Sequence, residues 1–173
     1  MIKIFLVEDE VVMRNGIKNN IPWEKEGLLF AGEASDGELA YPLIKKVQPD
    51  ILITDIRMPF MDGLELSELV KKEFPRIKII ILSGYNEFDY AKQAIHIGVT
   101  DYLLKPITAS KLLEAVKKVA EVIEREREEE NMLERYRLEM AENTVLDRQR
   151  LFKDLVTSRI SFKEALERGE QLG

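Results

Sequence analysis

The chain has 173 residues, 45% of them hydrophobic and 34% charged, with a formal net charge of -6 at pH 7. That length allows one packed domain plus an extension, and the acidic balance argues against nucleic-acid binding by the chain as a whole. There is no cysteine, which excludes disulfides and thiolate metal sites, and no stretch approaches the roughly 20 apolar residues that span a bilayer, so a cytoplasmic protein without a membrane partner is expected.

Residues 2–7 read as a first strand, which runs into Glu8-Asp9-Glu10. A helix over about 10–20 and a strand over about 28–34 follow. Asp36-Gly37 opens a second helix over about 36–47, with Ser35 or Asp36 as its cap, and Pro49-Asp50 ends that segment. The third strand, about 50–55, is the unbroken apolar run Ile51-Leu52-Ile53-Thr54 ending in Asp55, the pattern of a buried parallel strand. Asp62-Gly63 opens a third helix over about 63–73, which Pro75 closes. A fourth strand over about 77–83 ends in Ser83, and a fourth helix over about 87–97 stops at Gly98. A fifth strand over about 100–103 runs into Lys105-Pro106, and a fifth helix spans about 107–123. Five strands alternating with five helices predict an α/β fold. It is a flavodoxin-like, doubly wound, five-stranded parallel sheet, (βα)5, covered on both faces, with its site at the carboxyl edge.

Near residue 120 the composition changes. Residues 121–130 are almost all charged, and no Gly or Pro occurs from Ile107 to Arg168, so the fifth helix is expected to continue outward as a helical extension. Leu112, Val116, Val119 and Ile123 recur at spacings of four, three and four, but the same register then meets Glu126 and Glu130 before reaching Leu133, Arg137 and Met140. A solvated single helix laced by Glu–Arg pairs and a dimeric coiled coil are both open readings. A second apolar cluster, Leu151, Phe152, Leu155, Val156 and Ile160, precedes a short helix with Ser161 as cap and Glu164 at the capping-box position. The expected organisation is a domain over 1–123, a charged helical linker over 124–150, and over 151–173 the start of a further, incomplete helical region.

The strand ends carry the chemistry. Glu8, Asp9 and Asp55 converge if the first and third strands are neighbours, and three adjoining carboxylates must take up a proton or bind a cation. Hard oxygen ligands with open positions suit Mg²⁺. Asp55 can then attack a phosphorus atom, with the metal serving one phosphoryl oxygen, the Lys105 ammonium another, and the Ser83 hydroxyl a third. Pro106 forces Lys105 into an extended conformation, and the sequence leaves open whether their peptide bond is cis. Each residue also has a plainer role. Asp9 or Glu10 can simply cap a helix, Ser83 can sit in a turn before Gly84, and Lys105 can be a surface lysine.

Four segments together resemble the receiver domain of two-component response regulators. They are Leu-Val-Glu8-Asp9-Glu10, Ile-Thr-Asp55-Ile-Arg-Met-Pro59 with Asp62-Gly63, Ile-Leu-Ser83-Gly84-Tyr85, and Asp101-Tyr102-Leu-Leu-Lys105-Pro106. The resemblance covers residues 1 to about 123. It implies that Asp55 accepts a phosphoryl group from a sensor histidine kinase or a small phosphodonor. It implies that Glu8, Asp9, Asp55 and the backbone carbonyl of Arg57 surround Mg²⁺. Many members carry aspartate where this chain has Glu8, and the longer side chain suits contact through water. Ser83 resembles the switch hydroxyl, Lys105 the phosphate-contacting lysine, and Tyr102 the switch aromatic that turns inward from an exposed rotamer. Arg57 and Tyr85, two residues beyond Asp55 and Ser83, are placed to flank the phosphoryl group and modulate its lifetime. Trp23 in Ile-Pro-Trp-Glu, Gly-Glu-Ala-Ser-Asp-Gly-Glu, and the run from Leu82 to Ala91 are similar to regulators with an AraC-type DNA-binding output.

The implied function is a phosphorylated switch that catalyses only its own phosphorylation and dephosphorylation. It would act through the helix 4–strand 5–helix 5 face and the extension on homodimerisation, and on transcription through a DNA-binding domain outside this chain. Two rivals differ in class. A phosphatase of the haloacid-dehalogenase type needs a second acid two residues after its nucleophile, and Arg57 stands there. A phosphate-independent interaction module has no need of the complete set of acids, Ser83 and Lys105. A dinucleotide site fails for want of a Gly-rich turn after the first strand. His96, the only histidine, reads as a surface or packing residue rather than a pH sensor or metal ligand.

Overall fold

The computed structural model describes residues 1–84, 88–157 and 159–171. The chain forms two compact units, Met1–Ile123 and Glu124–Gly173. The first holds a parallel sheet of β1 (Ile2–Val7), β2 (Leu28–Ala34), β3 (Ile51–Asp55), β4 (Lys78–Ser83) and β5 (Asp101–Leu104) in the order β2-β1-β3-β4-β5. Helices α1 (Val11–Asn20), α2 (Gly37–Val47), α3 (Gly63–Glu73), α4 (Phe88–Ile97) and α5 (Ala109–Val156) follow the strands in turn. The chain steps from β1 outward to β2 and then crosses to β3 on the other side. The β1/β3 crevice is therefore the point where the winding reverses, the place where such sheets hold ligands.

The central strands β1, β3 and β4 are largely apolar because both of their faces are covered. Side chains alternate across a strand, so one set points to each layer. Ile4, Leu6, Ile51, Ile53, Ile80 and Leu82 join Ile17 and Ile21 at α1 and Leu112, Val116, Val119 and Ile123 of α5. Phe5, Val7, Leu52, Ile79 and Ile81 face the other way, with Ala40 and Ile44 of α2, Leu66 and Val70 of α3 and Ala94 of α4. The four-three-four stripe of α5 is thus buried in the domain core and is not the start of an intermolecular seam. Spacing alone leaves those two uses indistinguishable, since both need one apolar face.

The helix ends follow their caps. Asp36 accepts from the Leu39 N–H at 2.9 Å to start α2. Asp62 accepts from the Leu64 and Glu65 N–H groups, and Glu65 reaches back to the Asp62 N–H, closing a capping box on α3. Gly98, left-handed at φ 81°, ends α4. One element lacks a sequence signal: a 3₁₀ turn over Trp23–Glu26, which buries Trp23 against Phe30 with ring centroids 5.9 Å apart.

In the second unit α5 continues to Val156, and α6 (Phe162–Gln171) follows. Ser161 and Glu164 exchange the bonds of a capping box at its start. Met132, Leu133, Tyr136, Leu138 and Met140 are exposed along α5. Among the described residues no helix is long and apolar enough to cross a membrane.

Candidate functional site

At the carboxyl edge, β1 delivers Glu8 and Asp9, β3 delivers Asp55, and the residue after β5 is Lys105. The Lys105 ammonium lies 2.9 and 3.2 Å from the two Glu8 oxygens and 3.0 Å from Asp55 Oδ2. These are charge-assisted bonds made nearly out of water, with side-chain exposures of 1% for Glu8, 12% for Asp55 and 17% for Lys105. Asp9 is exposed, yet its carboxylate belongs to a trio with Glu8 and Asp55 whose oxygens lie within 4.8 Å of one another. Three acids and one ammonium leave the edge net negative. Burial raises the Glu8 carboxyl above its usual range, and Asp55 adds to this, while Lys105 pulls it back only in part. Burial alone would lower the Lys105 ammonium, but its bonds to Glu8 and Asp55 outweigh that and hold it above the ordinary lysine value. The donor set, all carboxylate oxygen and short of positive charge, fits a hard divalent cation.

Backbone ties hold these side chains in place. The Glu8 N–H donates to the Ala34 carbonyl, the Ile56 N–H to the Leu82 carbonyl, and the Lys105 N–H to the Ser83 carbonyl at 2.7 Å. Asp55 Oδ1 accepts from the Ile56 N–H at 2.8 Å, leaving Oδ2 to Lys105. The Thr54 hydroxyl donates to the Asp55 carbonyl. The Lys105-Pro106 peptide is cis. Ser83 is fully buried at the tip of β4, opposite Leu104. Glu10 occupies the N-cap position of α1 without a side-chain bond to it, so capping does not account for that acid.

Tyr102 differs from the expected exposed rotamer. It is half-buried and packs against the α2/α3/α4 core. Its ladder partner is Ile81, which points into that same core, so strand alternation turns the ring inward. Arg57 is exposed, and its guanidinium carbon sits 5.7 Å from the centroid of the Tyr90 ring. Tyr85 lies outside the described residues. His96 is exposed on α4, beside a groove lined by Asp62, Glu65 and Glu68 on the α3 side.

Sequence reasoning missed two supports. Arg14 on α1 donates to the Glu8 carbonyl at 2.5 Å and to the Asp9 carbonyl at 3.5 Å, clamping the turn that presents both acids. Its place four residues after Glu10, on the first turns of the helix, was the available signal. Gly63 is the other. A Cβ there would lie 1.8 Å from the Asp55 carbonyl oxygen, so α3 starts directly against the strand end that carries Asp55. The pair Asp62-Gly63 announces a helix start but not this contact.

Residues 4–117 match the family described as response regulator receiver domain. The chain is 40% identical over 126 residues to YesN of Bacillus subtilis, called an uncharacterized transcriptional regulatory protein, covering 73% of this chain and 34% of that one. The chain spans half or less of the length of curated relatives such as this. Among solved structures, the receiver domain of AraT, a response regulator from Geobacillus stearothermophilus, superposes with a TM-score of 0.68 at 40% identity, over 72% of this chain and 97% of that one. A two-component transcriptional regulator AraC from Clostridium phytofermentans does so at 0.63 and 30% identity, over 75% and 99%.

Proposed function

The chain belongs to the response regulator receiver family, and on that premise we propose that Asp55 accepts a phosphoryl group from a sensor histidine kinase and passes the change to an output outside this chain. The observation that carries this reading is the Lys105 ammonium held 3.0 Å from Asp55 Oδ2 at the edge where the winding reverses. An Asp55 oxygen forms the new P–O bond as the donor's P–N bond breaks, and the electron pair leaves with the donor's imidazole. Glu8, Asp9, Asp55 and the backbone carbonyl of Arg57 are the groups that would hold Mg²⁺. When bound, the ion supplies positive charge beside one phosphoryl oxygen. Lys105 neutralises a second oxygen and Ser83 donates to a third. The residue that a phosphatase of the aspartyl type would need for protonating a leaving group is absent at Arg57.

The phosphoryl group adds a charge of about -1.5 to -2. Ser83 follows the new acceptor oxygens, and Tyr102, two ladder positions away, repacks with it. The altered surface is α4, β5 and α5. From α5 the change reaches the extension, where Leu133, Tyr136 and Met140 are exposed and suited to pairing with a second copy. Transcriptional output would belong to a DNA-binding domain outside this chain, a reading supported by the YesN relative's name as a transcriptional regulatory protein. Light scattering of the 173-residue chain, with and without beryllofluoride and Mg²⁺, tests this step. A rise in solution mass on beryllofluoride is expected, and the same monomer mass in both states would sink dimerisation as the output.

A further inference from the structure

Arg57 stands two residues beyond Asp55, so their Cα atoms are no more than about 7 Å apart. Its guanidinium is nonetheless turned towards α4, over the ring of Tyr90 at 5.7 Å. Tyr90 is half-buried in the first turn of α4 and packs against the α2/α3/α4 core, so the ring is a platform anchored in the fold, while Arg57 is exposed. A single guanidinium is thus shared between two candidate partners, the Tyr90 ring and an Asp55 phosphoryl group.

We propose that Tyr90 is a positioning residue for the phosphoryl site: it holds Arg57 in the unphosphorylated protein and gives it up when Asp55 is phosphorylated. This rests on Asp55 being the phosphoryl acceptor. An exposed cation over an aromatic face shifts an equilibrium by about two- to five-fold. An anionic phosphoryl group offers the planar guanidinium a two-bond partner, which is the stronger attraction. Phosphorylation therefore draws Arg57 off the ring. The first turn of α4 then loses a tie to the β3–α3 loop. Arg57, now over the phosphoryl group, obstructs attacking water. The coupling is reciprocal, so anything that strengthens the stack on Tyr90 weakens the hold on the phosphoryl group by the same factor.

The test is a double-mutant cycle on the 173-residue chain, read as beryllofluoride affinity and as the lifetime of the phosphoryl group loaded from acetyl phosphate. Tyr90→Leu keeps an apolar body in the core but removes the ring. It is expected to raise affinity and lengthen the lifetime about two- to five-fold. Tyr90→Phe, which keeps the ring, should match the wild type, and Arg57→Asn should shorten the lifetime. In the Arg57→Asn background, Tyr90→Leu should change neither quantity. An equal effect of Tyr90→Leu in both backgrounds, or no effect in the wild type, overturns the proposal. Chemical shifts of the Tyr90 ring give a readout free of any fold defect in that variant. They should move further on beryllofluoride addition in the wild type than in Arg57→Asn, where only the general change at α4 remains, and an equal movement in both contradicts the exchange. A wild-type chain that binds no beryllofluoride at all overturns the acceptor reading, and this inference with it.

Discussion

Replacing Gly63 with alanine should destabilise the protein by about 3 kcal/mol, at the upper end of what overpacking usually costs. The direction runs against helix propensity, which favours alanine over glycine by about 1 kcal/mol. Packing decides the sign. The added Cβ would lie 1.8 Å from the Asp55 carbonyl oxygen and 2.9 Å from Thr54 Oγ1. Neither can retreat easily, because the Gly63 N–H donates to the Ile56 carbonyl and the Thr54 hydroxyl to the Asp55 carbonyl. The helix would have to move off the strand end, taking the β3–α3 loop with it. Urea unfolding of Gly63→Ala and Gly16→Ala makes the comparison within one chain. Gly16 is also helical, but its added Cβ meets nothing nearer than the Asn20 side chain at 3.9 Å. Gly16→Ala should therefore stabilise by about 1 kcal/mol while Gly63→Ala destabilises. Equal effects at the two sites would remove the close approach as a structural requirement.

Lys105→Met should destabilise the metal-free protein by about 3–5 kcal/mol, the usual consequence of removing one partner from a buried ion pair. Glu8 at 1% side-chain exposure and Asp55 at 12% would then face each other without the ammonium that neutralises them. A divalent cation bound by the same carboxylates should restore much of the loss. A ligand at 100 times its dissociation constant adds about 2.7 kcal/mol. Thermal or urea unfolding in chelator and in excess Mg²⁺ measures both quantities. The gain on adding Mg²⁺ should be larger for the variant than for the wild type, where Lys105 already neutralises the pair. A variant as stable as the wild type in chelator would mean that the pair contributes nothing, and a variant indifferent to Mg²⁺ would mean that the carboxylates do not hold the ion.

What the sequence made legible was the part governed by local pattern. Strands such as Ile51–Asp55 are buried on both faces and read as unbroken apolar runs, and their charged ends stand out against them. Caps such as Asp36 and Asp62 are spelled by an aspartate followed directly by a glycine. What stayed hidden was set by contacts between distant segments. The stripe Leu112, Val116, Val119, Ile123 has one spacing for two uses, and only the sheet's presence assigns it to the core. Arg57 and Tyr90 are 33 positions apart in number, and neither carries a local sign of the other. The resting place of Tyr102 depends on which face of β5 meets the core, which register with Ile81 decides. Gly63 looked like helix punctuation, and its close approach to Asp55 is a property of the assembled layers.

Everything about output depends on whether Asp55 takes a phosphoryl group and keeps it. The direct measurement is intact mass after incubation with acetyl phosphate and Mg²⁺, followed over time, for the wild type and Asp55→Asn, with a chelator control. The expected result is one phosphoryl group per wild-type chain, retained after the donor is removed, not gained when the incubation contains chelator, and absent from Asp55→Asn. Steady hydrolysis of the donor without a retained mass increase would make the protein a phosphatase. No increase under any condition, or the same increase in Asp55→Asn, would contradict the account at its centre.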